Sequence, residues 1–542
     1  MTELAALTAA EVLARYPAHA DTLPSLVASR VAIVPNAPAL RFGPREYVYA
    51  ELARGSALIA GLLQKHGIEA GVPVAFVATN SDLTVLSFLA CAQLGAMFVP
   101  MNVALTDPEL SFVLGHSKPQ VIFARERDLT RLGGLVTALG IHATLLALEP
   151  MGVDSSAATE VLVQLSAMSE EAGTAAIAAD SPLVVVYTSG TTGFPKGVVH
   201  SHRNFVWAAE AFVERMQLQP DERLLTVLPF FHINALFYSL GGALAAGGKL
   251  ITADSFSASR FWDDATAVGA TLFNTIAAVG GILCKRPRAE YNPNHRIRKV
   301  YGGPISPDVD AVFRADFGIQ NLIEGYGMSE IPGACNNPYF GPHKLGSMGK
   351  PARHPRIAGT FAEMRVEDDA GNVVPTGVVG ELVVKTPILF KGYLHDPEQT
   401  ANSFRNGWFL TGDLVREDED GYFYFIARKK DIIRVRGENV AGAELDRVLG
   451  NHPAIAEAAT IGVPSALGEE DIFAVLVARN LPPSISDLTA WCTQHLAAIK
   501  CPRYWRFVDE LPHTPSYRVA KHRLKSDPNL FAGAYDAKNS ER

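Results

Sequence analysis

The sequence lacks the features that mark secreted, disulfide-rich or nucleic-acid-binding chains. Its five cysteines are an odd number, widely spaced and without a CxxC pair, so neither a disulfide framework nor a zinc knuckle is expected. The 48 basic and 56 acidic residues are scattered, and no basic run predicts a nucleic-acid partner. The first residues carry Glu3 and Glu11 instead of a basic region followed by an apolar core, which is unlike a signal peptide. A cytoplasmic location is therefore expected.

The chain also lacks a long uninterrupted apolar stretch. Its longest apolar tract, residues 85–102, is broken by Gln93, Gly95 and Pro100. A membrane-spanning helix needs about 20 consecutive apolar residues. The tract therefore predicts a buried helix followed by a strand, and no integral membrane segment.

Length and texture predict at least two domains. A chain of 542 residues is too long for one ordinary core. Up to about residue 400, helical stretches such as 49–67 alternate with short apolar runs such as 72–79 and 119–124. This alternation is typical of helices packed on sheets.

The texture changes towards the C-terminus. Residues 371–387 and 421–437 look strand-like, with an Asp420–Gly421 turn. A smaller α+β unit follows; its predicted elements are a helix over 440–453, strands over 456–464 and 472–480, and a helix over 485–496.

We predict an α/β fold with mixed sheets. A large N-terminal domain, 1–428, would contain stacked α/β layers and a β-barrel-like subdomain. A small mobile α+β domain, 429–542, would follow a hinge near Lys430.

The segment VVVYTSGTTGFPKGVVHSH, Val184–His202, places a Gly/Ser/Thr-rich loop after an apolar strand. Such a loop can bind phosphate through turned backbone N–H groups, hydroxyl donors and the charge of Lys196. A plain surface loop is the alternative reading. A Walker A loop is disfavoured, because Pro195 and Gly197 stand where that motif needs Gly and Ser or Thr.

This segment resembles the phosphate loop of the adenylate-forming superfamily, which includes acyl-CoA synthetases, peptide-synthetase adenylation domains and beetle luciferase. Further segments resemble that family's motifs in the same order, over about residues 25 to 525. They are LPFFHINALF (228–237), YGGPIS (301–306), EGYGMSE (324–330), GELVVKTPILFKGY (380–393), GWFLTGDL (407–414), ARKKDIIRVRGENV (427–440) and LPHTPSYRVAKHRL (511–524).

The resemblance implies an ATP-dependent acyl-CoA ligase, an acid–thiol ligase that uses Mg²⁺. A carboxylate would attack the α-phosphate of ATP and release pyrophosphate, and coenzyme A would then take the acyl group and release AMP. Two alternatives are transfer to a carrier-protein thiol and a non-catalytic nucleotide sensor. No carrier-type serine motif follows residue 525, which favours free CoA. A homodimer is a further expectation.

The resemblance also implies nucleotide-binding and CoA-binding residues. They are Thr188, Ser189, Gly190, Thr191, Thr192, Gly193, Lys196, Gly302, Gly303, Pro304, Glu324, Gly325, Tyr326, Gly327, Ser329, Asp413, Arg428, Lys430, Arg436, Gly437 and Asn439. Among them, Tyr326 would stack near adenine and Asp413 would accept from both ribose hydroxyls. YGGPIS departs from the usual GGAP wording, by an Ala-to-Gly replacement or by one deletion.

Glu330 is the implied Mg²⁺ ligand, with Thr191 as a second candidate; magnesium needs few protein carboxylates because it keeps waters and phosphates. His232 would lie beside the substrate carboxylate, with Phe231, Asn234 and Asn274 lining the acyl pocket. The alternative interpretation is that His232 is a core histidine with a structural role. His200 and His202 could be read as metal ligands, but no third ligand is apparent.

The C-terminal motif departs from the family pattern. Its usual SGK lysine bridges substrate carboxylate and α-phosphate, whereas this chain has Arg518 in that register. Either Arg518 takes the catalytic role or Lys521 reaches in from one turn away; Arg518 is favoured. The wording of several segments resembles the carnitine/crotonobetaine-CoA ligase-like branch, and a small or medium carboxylic acid is expected.

Overall fold

The computed structural model describes residues 6–170, 172, 176–188, 195–435, 438–465, 469–513 and 519–538. Its α-helices are α1 Ala9–Ala14, α2 Leu23–Val31, α3 Tyr49–Lys65, α4 Asp82–Leu94, α5 Asp107–Ser117, α6 Glu126–Ala138, α7 Ala158–Met168, α8 His202–Met216, α9 Gly241–Ala246, α10 Phe261–Val268, α11 Ala277–Lys285, α12 Pro307–Ala315, α13 Pro397–Asn402, α14 Gly442–Gly450, α15 Ile485–His495 and α16 Lys521–Lys525. A π-helical stretch, Asn234–Leu240, precedes α9.

The strands of the first half are β1 Pro38–Phe42, β2 Arg45–Val48, β3 Pro73–Val77, β4 Met97–Met101, β5 Val121–Ala124, β6 Thr144–Ala147, β7 Pro182–Thr188, β8 Lys196–Ser201, β9 Arg223–Thr226, β10 Lys249–Thr252 and β11 Leu272–Asn274. Those of the second half are β12 Lys299–Gly302, β13 Asn321–Met328, β14 Ile331–Asn336, β15 Lys350–Pro351, β16 Glu363–Glu367, β17 Gly380–Lys385, β18 Gly392–Tyr393, β19 Phe404–Arg405, β20 Trp408–Glu417, β21 Phe423–Arg428, β22 Ile432–Val435, β23 Glu438–Ala441, β24 Ile455–Pro464, β25 Glu470–Ala478, β26 Tyr504–Phe507 and β27 Tyr535–Asp536.

The chain divides into two compact units. The first comprises residues 1–190, 194–364 and 384–407, and the second residues 191–193, 365–383 and 408–542. The boundary expected at residues 428 and 429 stays a prediction.

Two mixed sheets organise the first unit. The nine-stranded sheet has the order β15-β14-β13-β12-β11-β9-β10-β1-β2, and the seven-stranded sheet has the order β18-β8-β7-β4-β3-β5-β6. One apolar cluster joins residues of both sheets with helices α2, α3, α4, α8 and α9. A second cluster packs α5 and α6 on the opposite face of the seven-stranded sheet. The expected stacked α/β layers are therefore confirmed.

Three β-structures lie in the described residues of the second unit. Strands β16, β17 and β20 lie in that order, with β21 paired to β20; β22 and β23 form a ribbon; β24 to β27 form a four-stranded sheet. Helices α14 and α15 pack on the last sheet around Leu449, Leu488 and the fully buried Trp505. The mixed α/β fold expected from the sequence is confirmed.

The helix and strand expected in the longest apolar tract are confirmed. The apolar tract at 85–102 contains most of α4 followed by β4, with Gly95 ending the helix at φ 70°. A left-handed residue at this position is the usual place for glycine.

No helix in the described ranges is long and apolar enough to cross a membrane.

One predicted strand region is shorter in the structure than the sequence suggested. Residues 371–387 looked strand-like throughout, but a strand begins only at Gly380. Pro375 cannot donate to a ladder, and Gly377 adopts φ 84°, which an extended strand does not allow. These two residues explain why the strand starts late.

Candidate active site

The predicted phosphate loop joins two paired strands. Three consecutive buried valines, 184–186, form the centre of β7, and β8 returns antiparallel to it, with Thr188 opposite Lys196. Lys196 is thus the first residue of β8, which anchors its backbone in the sheet. Residues 189–194, which include Ser189, Gly190, Thr191, Thr192 and Gly193, lie outside the described residues.

Glu330 lies in the turn between β13 and β14, and its side chain is 94% buried, at 6% exposure. The backbone of this turn is held by two neighbours. The His200 ring Nε2 lies 2.7 Å from the Ser329 carbonyl oxygen, and the Phe390 N–H donates to the Glu330 carbonyl at 2.9 Å.

Tyr393 connects Glu330 with Lys196. Its hydroxyl donates to Glu330 Oε1 at 2.8 Å, and Lys196 Nζ lies over its ring, 4.9 Å from the centroid. Burial, and then the neighbouring Glu330 carboxylate, raise the pKa of Tyr393. The sequence did not single out Tyr393, although it ends the quoted motif GELVVKTPILFKGY; nothing local reveals its contacts.

The predicted adenine loop depends on close backbone packing. A Cβ at Gly303 would lie 2.2 Å from the Gly325 carbonyl oxygen, and one at Gly302 would lie 2.6 Å from Thr275 Cγ2. Only glycine fits such separations, so Gly302 and Gly303 bring β12 and its following loop against β13. Pro304 is exposed after them.

The predicted adenine-stacking residue, Tyr326, is half-buried in β13, with its hydroxyl 3.8 Å from Met328 Sδ. Gly327 follows in the same strand, where a Cβ would lie 2.7 Å from the Gly333 amide nitrogen. The strand therefore presents an aromatic ring on a tightly packed backbone.

Glu324 lies beneath this loop with 5% exposure. Its Oε1 accepts a hydrogen bond from the Ile305 N–H at 3.1 Å. Burial raises the pKa of Glu324 to about 7. The carboxyl group therefore supports the loop that follows Pro304 from below.

The predicted acyl-pocket residues converge around the π-helical stretch. The His232 and Phe231 rings pack edge to face, with 4.6 Å between their centroids. Asn234 Nδ2 lies 3.5 Å from the Thr275 carbonyl oxygen, and the fully buried Asn274 donates from Nδ2 to Ser239 Oγ at 3.0 Å. Within the described part of the chain, the Oδ1 atoms of Asn234 and Asn274 have no hydrogen-bond partner. The structure brings these residues into one region.

The second unit holds the remaining described candidates. Asp413 in β20 is fully buried and lies opposite Arg428 in β21, whose Nε is 2.9 Å from Asp413 Oδ1. Lys430 follows in a short 3-10 turn, and burial lowers its pKa. Arg436, Gly437 and Arg518 lie outside the described residues.

The backbone of Asn439 is described: Asn439 pairs with Arg434 across the ribbon of β22 and β23. Its side chain lies outside the described atoms.

The histidine pair does not behave as a metal site. His200 is bonded to Ser329, and His202 accepts a hydrogen bond from the Leu23 N–H at 3.3 Å. Burial lowers the pKa of each histidine to about 4. Among the residues the structure describes, no group of three His, Cys, Asp or Glu side chains could hold a metal ion.

Comparison with known proteins gives matches over nearly the whole chain. A family model described as AMP-binding enzyme matches residues 27–394, and one described as AMP-binding enzyme C-terminal domain matches residues 444–518.

Similar proteins cover most of the chain. A sulfoacetate–CoA ligase of Cupriavidus necator is 31% identical over 93% of this chain and 97% of its own length. A crotonobetaine/carnitine–CoA ligase of Salmonella choleraesuis is 29% identical over 89% and 93%. The crystal structure of ATP-bound MatB from Rhodopseudomonas palustris aligns with a TM-score of 0.82, at 28% identity, over 93% of this chain and 98% of that one.

Proposed function

The chain belongs to the AMP-binding enzyme family and is an ATP-dependent acyl-CoA ligase, and on that premise we propose how its residues share the reaction. The proposal depends on one observation: Lys196 and Glu330 contact the same side chain, Tyr393. Glu330 accepts a hydrogen bond from its hydroxyl, and Lys196 lies over its ring. A cation and a carboxylate that contact one aromatic side chain, with a Gly/Ser/Thr-rich segment directly before the cation in the sequence, suit a metal-bound triphosphate.

In the first half-reaction, a carboxylate oxygen attacks the α-phosphorus and the bond to pyrophosphate breaks. Charge gathers on phosphoryl oxygens, so positive potential and position provide most of the catalysis. Lys196 stabilises the departing pyrophosphate, together with the donors of residues 189–193. Arg518 would bridge the attacking carboxylate and the α-phosphate from the C-terminal domain.

The metal in this proposal is Mg²⁺. Glu330 supplies a hard oxygen ligand in a largely buried position, and Mg²⁺ commonly takes one or two protein carboxylates and completes its shell with water and phosphate. The donor set therefore fits the ion, whose chemistry is to neutralise the phosphate oxygens. Thr191 is the second proposed ligand.

Four further side chains or glycines are proposed to contact the nucleotide. Tyr326 stacks on adenine against the backbone of Gly302 and Gly303. Asp413 accepts hydrogen bonds from the ribose hydroxyls. The positive charge of Arg428 offsets the cost of burying the Asp413 carboxylate.

In the second half-reaction, the CoA thiol attacks the acyl carbonyl and AMP leaves. Arg436, Gly437 and Asn439 would border the pantetheine path. The C-terminal domain would exchange between two orientations by rotation at Lys430, because a few residues can absorb such a change.

The substrate is proposed to be a small or medium carboxylic acid, with His232 beside its carboxylate. Phe231, Asn234 and Asn274 would border the acyl group. Relatives named for acids as different as sulfoacetate and carnitine match this chain at about the same identity, so the acid must be found by experiment.

The test is release of pyrophosphate and AMP from ATP with a library of alkyl, aryl, hydroxylated and dicarboxylic acids. Activity requires an acid, and AMP release requires free CoA; release without CoA dependence would instead favour a carrier-protein acceptor. Acid-independent nucleotide binding with no pyrophosphate from any acid would favour a sensor.

Two variants test the site within that assay. Lys196→Ala is expected to slow pyrophosphate release by about 10²-fold, the scale for one donor aimed at developing charge, whereas the exposed Lys65→Ala serves as the matched control. Glu330→Gln is expected to raise the Mg²⁺ midpoint without unfolding, with Glu69→Gln as its control. Wild-type behaviour of either site variant would refute that residue's role.

The homodimer and the cytoplasmic location expected from the sequence are also part of the proposal. Light scattering of the purified protein and fractionation of the host cell test them.

A further inference from the structure

The segment Phe390–Tyr393 contacts the turn that carries Glu330 at two points. The Phe390 N–H donates to the Glu330 carbonyl, and the Tyr393 hydroxyl donates to the Glu330 carboxylate. The two aromatic rings pack on each other at 4.9 Å. One short segment therefore fixes both the backbone and the side chain of Glu330.

The same segment is anchored to the strand that begins with Lys196. Strand β18 pairs antiparallel with β8, with Tyr393 opposite Val198, two residues after Lys196. The Tyr393 N–H donates to Thr400 Oγ1 at 2.9 Å. The ring is thus held by its own backbone in the sheet that positions the lysine.

Tyr393 contacts the two charged groups through different parts of its ring. The hydroxyl at the ring edge bonds the carboxylate, and the ring face attracts the ammonium through a cation–π interaction. A tyrosine is neutral, so it orients both groups without neutralising either of them. A direct Lys–Glu ion pair in this place would compete with phosphate for the lysine and with metal for the carboxylate.

We propose that Tyr393 is a positioning residue for the ligase reaction: its hydroxyl orients Glu330 towards the divalent metal, and its ring holds Lys196 ready for the triphosphate. This inference rests on the proposed function, in which Glu330 binds the metal and Lys196 the phosphates.

The two contacts can be separated by substitution. Tyr393→Phe keeps the ring and its packing on Phe390 but removes the donor to Glu330. Tyr393→Leu removes both the donor and the ring face. Tyr424→Phe is the matched control, because the Tyr424 hydroxyl donates to Asp418 Oδ2 at 3.0 Å in the other unit.

The readout is metal binding in the absence of turnover. Mn²⁺ is titrated into the protein with α,β-methylene-ATP and followed by electron paramagnetic resonance, and affinity for the analogue is measured separately by calorimetry. Tyr393→Phe is expected to weaken Mn²⁺ binding by about tenfold, the lower end for a residue that orients a metal ligand, with little change in analogue affinity measured without metal.

Tyr393→Leu is expected to weaken Mn²⁺ binding similarly and to reduce affinity for the analogue by a further three- to tenfold, since a cation–π contact of this kind is worth about 1 kcal/mol. If Tyr393→Leu does not fold, the same measurements are made on Tyr393→Met. Thermal denaturation of each variant shows that binding is measured on folded protein.

Three outcomes decide the inference. If Tyr393→Phe binds Mn²⁺ as Tyr424→Phe does, the hydroxyl has no positioning role. If Phe and Leu variants bind the analogue equally, the ring does not prepare Lys196. If Glu330→Gln itself leaves Mn²⁺ binding unchanged, the proposed metal site is wrong, and that failure is distinct from failure of the Tyr393 inference.

Discussion

Lys521 Nζ lies 2.5 Å from Asp446 Oδ2, so the lysine that could have replaced the missing catalytic lysine is already in an ion pair. Asp446 Oδ1 also accepts hydrogen bonds from the Thr460 N–H and hydroxyl, at 2.6 and 2.8 Å. The pair joins α16 to α14 and β24 inside the second unit. It supports Arg518 as the residue that serves adenylation.

Arg518→Ala and Lys521→Ala are expected to differ in kind. The arginine variant should slow acyl-adenylate formation by about 10²–10³-fold, or roughly 3–4 kcal/mol of transition-state stabilisation, and leave thioester formation from pre-made acyl-AMP nearly intact. The lysine variant should chiefly lose about 1–2 kcal/mol of folding stability, since it leaves a carboxylate without its cation.

The control for Lys521 is Lys525→Ala on the same helix, whose Nζ is 4.0 Å from Glu470 in a more exposed pair. Exposed pairs of this kind contribute little. Half-reaction assays and thermal denaturation measure both effects. If Arg518→Ala formed acyl-adenylate at the wild-type rate and Lys521→Ala did not, Lys521 would be the residue that serves adenylation.

Glu324→Gln is expected to stabilise the protein at alkaline pH. Burial raises the pKa of this carboxyl in the folded state to about 7, whereas its pKa in the unfolded chain is near 4.5. The contribution of the carboxyl to the free energy of unfolding is therefore fully present below pH 4.5 and is lost as pH rises through 7. Glutamine keeps the acceptor for the Ile305 N–H without the charge. Chemical denaturation should show a gain of about 2–3 kcal/mol at pH 8 and little difference at pH 4.5.

The exposed Glu69→Gln is the control for that experiment and should show no gain at either pH. Equal stability of wild type and Glu324→Gln at pH 8 would mean that the carboxyl is not destabilised by its burial.

His200 and His202 should make the protein acid-sensitive. Burial lowers each folded pKa to about 4 from 6.5, so the folded state binds fewer protons, and stability present above 6.5 is lost as pH falls towards 4. His200→Gln preserves the donor to Ser329, and His202→Asn preserves the acceptor for Leu23. Each variant should reduce the slope of unfolding free energy against pH by about one proton; unchanged slopes would contradict the burial effect.

Cys501 should react with iodoacetamide well before Cys284. A hydrogen bond from the Cys492 thiol lowers the pKa of Cys501 to about 7, whereas burial raises the pKa of Cys284 to about 11. Because the thiolate is the nucleophile, labelling at pH 7.5 should favour Cys501 by roughly 10–100-fold. Peptide mass spectrometry measures the ratio, Cys492→Ala should reduce it, and earlier labelling of Cys284 would contradict the assignment.

The sequence by itself determined the local elements and the order of the motifs. Apolar periodicity and turn residues predicted α3, the helix–strand pair α4 and β4, and the elements of the C-terminal unit, because these patterns depend on neighbours within a few residues. The motif order predicted the family, and the comparisons confirmed it.

Only the tertiary structure decided which side chains meet. Tyr393 is 63 residues from Glu330, and His200 is 129 residues from Ser329; Lys521 found its partner on another helix. Periodicity states which face of an element is buried, but not which distant residue packs against it, since that depends on strand order and register. For this reason the sequence did not reveal the contact between His200 and Ser329 and passed over Tyr393.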